Sequence, residues 1–161
     1  MRSASRAIAQ TWDHSIATNV SLPVPSDLGT PGAANSCYIA EPAPQVDRLR
    51  HEPAVPAPGQ TVRVTAHVAS ALPSPLVLLW HRLDTNAGTG DWSTKTITDD
   101  GSAGEEQAGD GVYTAELTEY GQSGQIVQFY VQAFLLNGQM SEMPKGGSDR
   151  PALYVVDTPT N

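Results

Sequence analysis

The sequence predicts an all-β protein built as an antiparallel sandwich, and three observations carry that prediction. Apolar residues alternate with polar ones at period two from Gly59 onward, the pattern of strands with one buried face. The apolar runs are short and separated by Gly, Pro, Asn and Asp clusters, which punctuate strands. The chain holds 13 Pro and 14 Gly, a content that disfavours long helices.

Each element follows from its own residues. In "QTVRVTAHVAS" (60–70), Val62, Val64, Ala66 and Val68 share one face, and Arg63, Thr65 and His67 the other. "PLVLLWHRL" (75–83) is apolar on both faces through Trp80, as in a strand central to a sheet. "WSTKTIT" (92–98) is a short strand anchored by Trp92 and Ile97. "GVYTAELTEY" (111–120) sets Tyr113, Ala115 and Leu117 inward, and "GQIVQFYVQAFLL" (124–136) does the same with Val127, Phe129, Val131 and Ala133. Asn137-Gly138 follows, a pair suited to a tight hairpin with positive φ at both positions. "RPALYVVD" (150–157) is the last strand. About seven strands in roughly 100 residues match a β-sandwich. Before them, "SLPVPSDLGTPGAANS" (21–36) and "AEPAPQVDRLRHEPAVPAPG" (40–59) are rich in Pro, Ala and Ser. They read as an extended, proline-rich N-terminal arm, because proline fixes φ and removes a donor.

Charge and cysteine content narrow the partners. The formal net charge is -8, with 9 Lys and Arg against 17 Asp and Glu. Nucleic acid is not an expected partner, since phosphate contacts need clustered cations. Cys37 is the single cysteine, so it can form neither an intrachain disulfide nor a thiolate metal site by itself. No run of 18 apolar residues occurs, so no membrane-spanning helix is expected.

The order "HEPAVPAPGQTVRVTAHV", "LVLLWHRLD", "TDDGSAGEEQAGDGVYTAEL", "GQIVQFYVQAFLLNGQ" and "DRPALYVVD" resembles the immunoglobulin/fibronectin-III-like modules of large secreted bacterial proteins. Such modules sit between lamin-tail domains and CotH-type kinase-like domains. The resemblance covers about residues 50–157, and "AGDGVYTA" with "FYVQA" is its most specific part. "TWDHSIATN" and "DLGTPGAANS" are similar to the C-terminal end of a lamin-tail domain. The implied organisation is a lamin-tail remnant at 1–36, a Pro-rich linker at 37–52, an immunoglobulin/fibronectin-III-like sandwich at 53–157 and a tail at 158–161. The implied location is secreted or cell-surface, with the signal sequence outside this chain. One departure is Leu135, where the family more often carries Asp.

The acidic loop "DDGSAGEEQAGDG" (99–111) admits two readings. Carboxylates among glycines have the chemistry of a calcium site, and Asp99, Asp100 and Asp110 are the ligands expected first, although the spacing is not that of an EF-hand. Alternatively, the loop is a solvated turn in which Asp110 caps backbone N–H groups. His14, His51, His67 and His81 lie in no zinc-ligand spacing, although His67 and His81 fall on strands that could be neighbours. Trp80 is expected in the core, with Tyr113, Phe129 and Tyr130 at or near it. Trp92, beside a Gly-rich loop, is the candidate ligand-binding aromatic.

These readings predict a protein without catalytic activity: a structural, spacer or adhesion module whose partners are neighbouring domains of its parent chain. Two alternatives remain open. One is a carbohydrate- or protein-binding module that uses Trp92. The other is an extracellular assembly subunit that self-associates by strand exchange through residues 15–22, an extended stretch suited to adding to a sheet edge.

Overall fold

A computed structural model of the chain describes residues 41–85, 88–105 and 107–158. The chain divides into two units, Met1–Ala40 and Glu41–Asn161. Cys37, His14, the lamin-tail-like segment and the proposed exchange strand lie outside the described residues.

The second unit is an antiparallel β-sandwich. Its strands are β1 (Gln45–Glu52), β2 (Val62–Ala69), β3 (Leu76–Thr85), β4 (Gly88–Thr89), β5 (Ser93–Thr96), β6 (Val112–Leu117), β7 (Ile126–Phe134), β8 (Met140–Met143) and β9 (Ala152–Val155). A 3-10 turn, Gly147–Asp149, precedes β9. One sheet has the order β1-β2-β6. The other has the order β4-β3-β7-β8, with β5 also on β3 and β9 also on β7. Every pairing among the named strands is antiparallel.

The core lies between the two sheets and is mostly aliphatic. Val62, Val64, Ala66 and Val68 of β2 meet Val77 and Leu79 of β3 and Val127, Phe129, Val131 and Ala133 of β7. Ala115 and Leu117 of β6 join them, together with Ile97, Tyr154 and Val156. The inward set expected for β2, β6 and β7 is therefore the observed one, with Tyr113 only partly buried against the core. β-Branched side chains suit this half-buried pleat because their restricted χ1 is already compatible with strand geometry.

The expected linker over 37–52 ends earlier than the sequence suggests, because Gln45–Glu52 is a strand. Its alternation is masked by a bulge. The register with β2 shifts between Asp47 and Arg50, and Arg48 has φ 53°. A bulge adds one residue to one strand and so resets the side-chain parity. Val46 on one side of it and Leu49 on the other both reach the core, and His51 packs on Phe129 and Tyr154. The prolines lie just outside, at 44 and 53, and β1 is an edge strand, where flanking prolines are tolerated.

Two further expectations are corrected. Trp80 is not a core residue. Val77, Leu79 and His81 point inward, so the opposite parity puts Trp80 on the outer face, directly across from Tyr130. The Asn137-Gly138 turn has positive φ only at Gly138, at 83°. Leu135 N–H donates to Gln139 O at 2.8 Å, and Gly138 N–H donates to Leu135 O at 3.0 Å. This is a longer hairpin loop with a single left-handed residue, and the Asn137 carboxamide accepts from Gln139 N–H at 3.0 Å. Leu135 is consequently buried and Leu136 fully exposed.

Burial predicts the energetics of these positions. Leu79, at 0% exposure, should lose about 2–5 kcal/mol of stability as Leu79→Ala through lost contacts and a residual cavity. Leu136→Ser should change stability by less than about 0.5 kcal/mol. Urea unfolding of both variants checks the contrast.

Candidate functional site

Three groupings of chemistry-bearing side chains stand out: the acidic loop, a histidine in the core and an aromatic row on the outer face of the larger sheet.

The acidic loop connects the end of the β5 segment to β6. It folds over the outer face of the smaller sheet, where Arg63, Thr65 and His67 point. The contact is close: a Cβ on Gly104 would sit 2.1 Å from Arg63 Nη2, and Gly104 has φ 76°. The positive φ favours glycine at that position, and a Cβ there would also make the Arg63 guanidinium move aside. The loop's carboxylates are tied to its own backbone. Gly109 N–H donates to Asp99 Oδ1, and Gly111 N–H donates to Asp99 Oδ2 at 2.8 Å. Val112 N–H donates to Asp110 Oδ1 at 2.9 Å, which is the backbone cap expected of a turn. Gly101 N–H donates to Glu105 Oε2 at 2.7 Å.

Of the three expected ligands, Asp99 and Asp110 come together and Asp100 does not join them. Oxygens of Asp99, Glu105 and Asp110 lie within 4.8 Å of one another. Asp100 instead accepts from Ser102 N–H at 2.9 Å, and hydrogen bonding with Ser102 holds its carboxyl below the usual range. Glu105 takes the third place. Desolvation first, then the charges of Asp99 and Asp110, push its carboxyl upward. Glu105 was visible in the sequence as an acidic residue, but which carboxylates converge is decided by how the loop turns.

His67 and His81 are not neighbours, because they belong to different sheets. His67 faces outward, with Nδ1 3.0 Å from Asp47 Oδ1. His81 faces the core, with Nδ1 2.6 Å from the Tyr120 hydroxyl. Burial is the main cause that lowers the His81 pKa, and burial pushes the Tyr120 hydroxyl up to about 12. The pair is a satisfied polar contact inside an apolar region.

On the outer face of the larger sheet, Trp80 and Tyr130 stack in parallel with ring centroids 5.8 Å apart. Trp92 meets Tyr130 edge to face at 4.9 Å. The Arg82 guanidinium lies 4.1 Å from the centre of the Trp92 ring, a cation–π distance. Arg82 Nε–H donates to Gln128 Oε1 at 2.8 Å, and Gln128 Nε2–H donates to Asp84 Oδ2 at 2.9 Å. Trp92 is therefore one member of a row, half-buried rather than projecting alone from a loop. Arg82 was not singled out from the sequence, although its two-residue offset from Trp80 already places both on one face of a strand.

No protein-family model and no curated protein matches the chain. Among solved structures, Pseudomonas fluorescens alkylpurine DNA glycosylase AlkC bound to DNA containing an abasic site analog is similar at 15% identity and a TM-score of 0.40. The match covers 73% of this chain and 31% of that one, so this chain spans less than a third of that structure's length. A likeness this distant says nothing about what this chain does. No described helix is long and apolar enough to cross a membrane.

His81 gives a pH signature. Its folded pKa lies below the unfolded value of about 6.5. Above that value both states are neutral and the site contributes its full stability. As pH falls below about 6.5 the unfolded chain takes up a proton that the folded chain refuses, so stability falls. Urea midpoints measured from pH 7.5 to 5.5 should drop, and His81→Gln should flatten that part of the profile.

Proposed function

We propose that residues 41–158 form a non-catalytic structural module, a spacer or adhesion unit of a larger secreted or cell-surface chain. One observation carries the reading: Asp47, His67, His81, Asp99, Asp110 and Tyr120 are engaged in contacts that hold the fold. Asp99 and Asp110 stitch the acidic loop to β6 through backbone N–H groups. Tyr120 engages His81 inside the core, and Asp47 engages His67 across β1 and β2. General acid–base catalysis needs such groups poised in a cleft with free access to substrate. The sandwich instead presents a small body with loops at both ends. The family resemblance of "AGDGVYTA" and "FYVQA" points the same way and adds the immunoglobulin/fibronectin-III-like class, with neighbouring domains of the parent chain as partners. Replacing residues 41–158 of the parent protein by an unrelated sandwich of the same length should preserve the parent's activity and surface display. Loss of either with the replacement folded would overturn the spacer reading.

The outer aromatic row favours a second reading, a carbohydrate-binding face. Aromatic rings beside fixed amide and carboxylate groups are the chemistry that stacks on and hydrogen-bonds sugar rings. Glycan-array binding by the 161-residue chain, lost in Trp92→Ala with Leu136→Ser unaffected, is the expected result. An array with no bound polysaccharide would dismiss it.

A further inference from the structure

Buried polar atoms normally find a partner, so a concentration of unpartnered ones marks a place where something is missing. Among the described residues, Arg63 Nε, Thr114 Oγ1 and Glu105 Oε1 are buried without a hydrogen-bond partner. All three residues line one cavity of about 230 Å³ between the acidic loop and the outer face of the smaller sheet. Glu52, Thr65, Gly104, Asp110 and Val112 complete its lining. Thr114 is only 3% exposed, because the loop covers it, and it sits directly opposite Thr65 in the ladder.

The cavity is acidic and lined by oxygen donors. Three lining carboxylates, Glu52, Glu105 and Asp110, stand against the single Arg63 guanidinium. Asp99 brings a fourth carboxylate within 4.8 Å of Glu105 and Asp110. Among the described residues no sulfur or imidazole joins this trio, and carboxylate oxygens select hard cations. The kind of site discriminates further. Calcium takes about six to eight oxygens in flexible geometry, whereas magnesium demands a near-ideal octahedron and keeps most of its waters. Oxygens remain to serve it. Glu105 Oε1 has no partner, and each carboxylate oxygen that accepts one backbone N–H keeps a second lone pair.

The geometry points to a calcium site formed by Asp99, Glu105 and Asp110, with the buried Thr114 hydroxyl holding a water of the bound ion. Asp100 is outside it. The remaining coordination belongs to water, as in the weaker sites of extracellular modules, with a dissociation constant of about 0.1–1 mM.

The test is thermal unfolding of the whole chain in about 5 mM calcium chloride against chelator, with terbium luminescence as a direct reading of occupancy. Calcium should raise the melting temperature, by more than magnesium at the same concentration, in wild type and in Asp100→Asn. Glu105→Gln should abolish both the shift and the terbium signal. Thr114→Val should weaken calcium binding about tenfold, as loss of an outer support does. If Glu105→Gln does not fold, Asp110→Asn replaces it, since its amide oxygen can still accept from Val112 N–H. The proposal fails if wild type shows no shift, if magnesium matches calcium, if the shift survives in the ligand variant, or if Asp100→Asn loses it.

Discussion

The antiparallel pairing of β3 with β7 runs over nine residues, from Leu76 opposite Phe134 to Asp84 opposite Ile126, and the rest of the unit depends on its parity. Strand side chains alternate, so one register sends Val77, Leu79 and His81 inward with Val127, Phe129 and Val131. The same register forces Trp80, Arg82, Gln128 and Tyr130 outward. A slip of one residue would exchange the two sets, burying an arginine and exposing the valines. The hydrophobic core and the outer aromatic row are thus two consequences of one constraint. The pair also supplies both edges onto which the shorter strands β4, β5, β8 and β9 add.

The acidic loop works on a different principle. It buries little apolar surface of its own, and its conformation is held by carboxylates that accept backbone N–H groups across the turn. Charge-assisted bonds of this kind are stronger than neutral ones, but they gather like charges in one place. Asp99, Glu105 and Asp110 repel one another, which is part of why the Glu105 carboxyl is pushed upward. The loop therefore gathers more carboxylates than the single Arg63 guanidinium beneath it balances. The same order over Thr114 and Arg63 creates the cavity beneath it. Loop stability, cavity and charge are therefore one design, and none of them requires a catalytic role.

Much of the fold was legible in the residues. The inward sets of β2, β6 and β7 came from clean alternation, which physical burial then obeyed. β1 was hidden because the bulge at Arg48 breaks the period on which such reading relies. β4 was hidden because two residues establish no alternation, and β8 because none of Met140–Met143 is buried, so its residues mark no inward face. Trp80 was assigned to the core because a central strand is apolar on both faces, and hydrophobicity alone does not say which face looks inward. Its partner Tyr130 depends on the register between β3 and β7, and the Arg82–Trp92 contact on the antiparallel return of β5 along β3.

For the candidate site, the sequence by itself determined the inventory: an acidic, glycine-rich loop between two strands and a tryptophan beside a turn. It also determined that the chain is an all-β body preceded by a proline-rich segment, because alternation and breaker residues are local properties. Only the tertiary structure decided which carboxylates meet. Asp99 and Asp100 are adjacent in sequence, yet Asp99 reaches across to Gly109 and Gly111 while Asp100 turns to Ser102. Convergence in space follows from backbone turns and from the sheet surface beneath them. The buried Thr114 hydroxyl, unremarkable among the threonines of the sequence, gains meaning only once the loop folds over it.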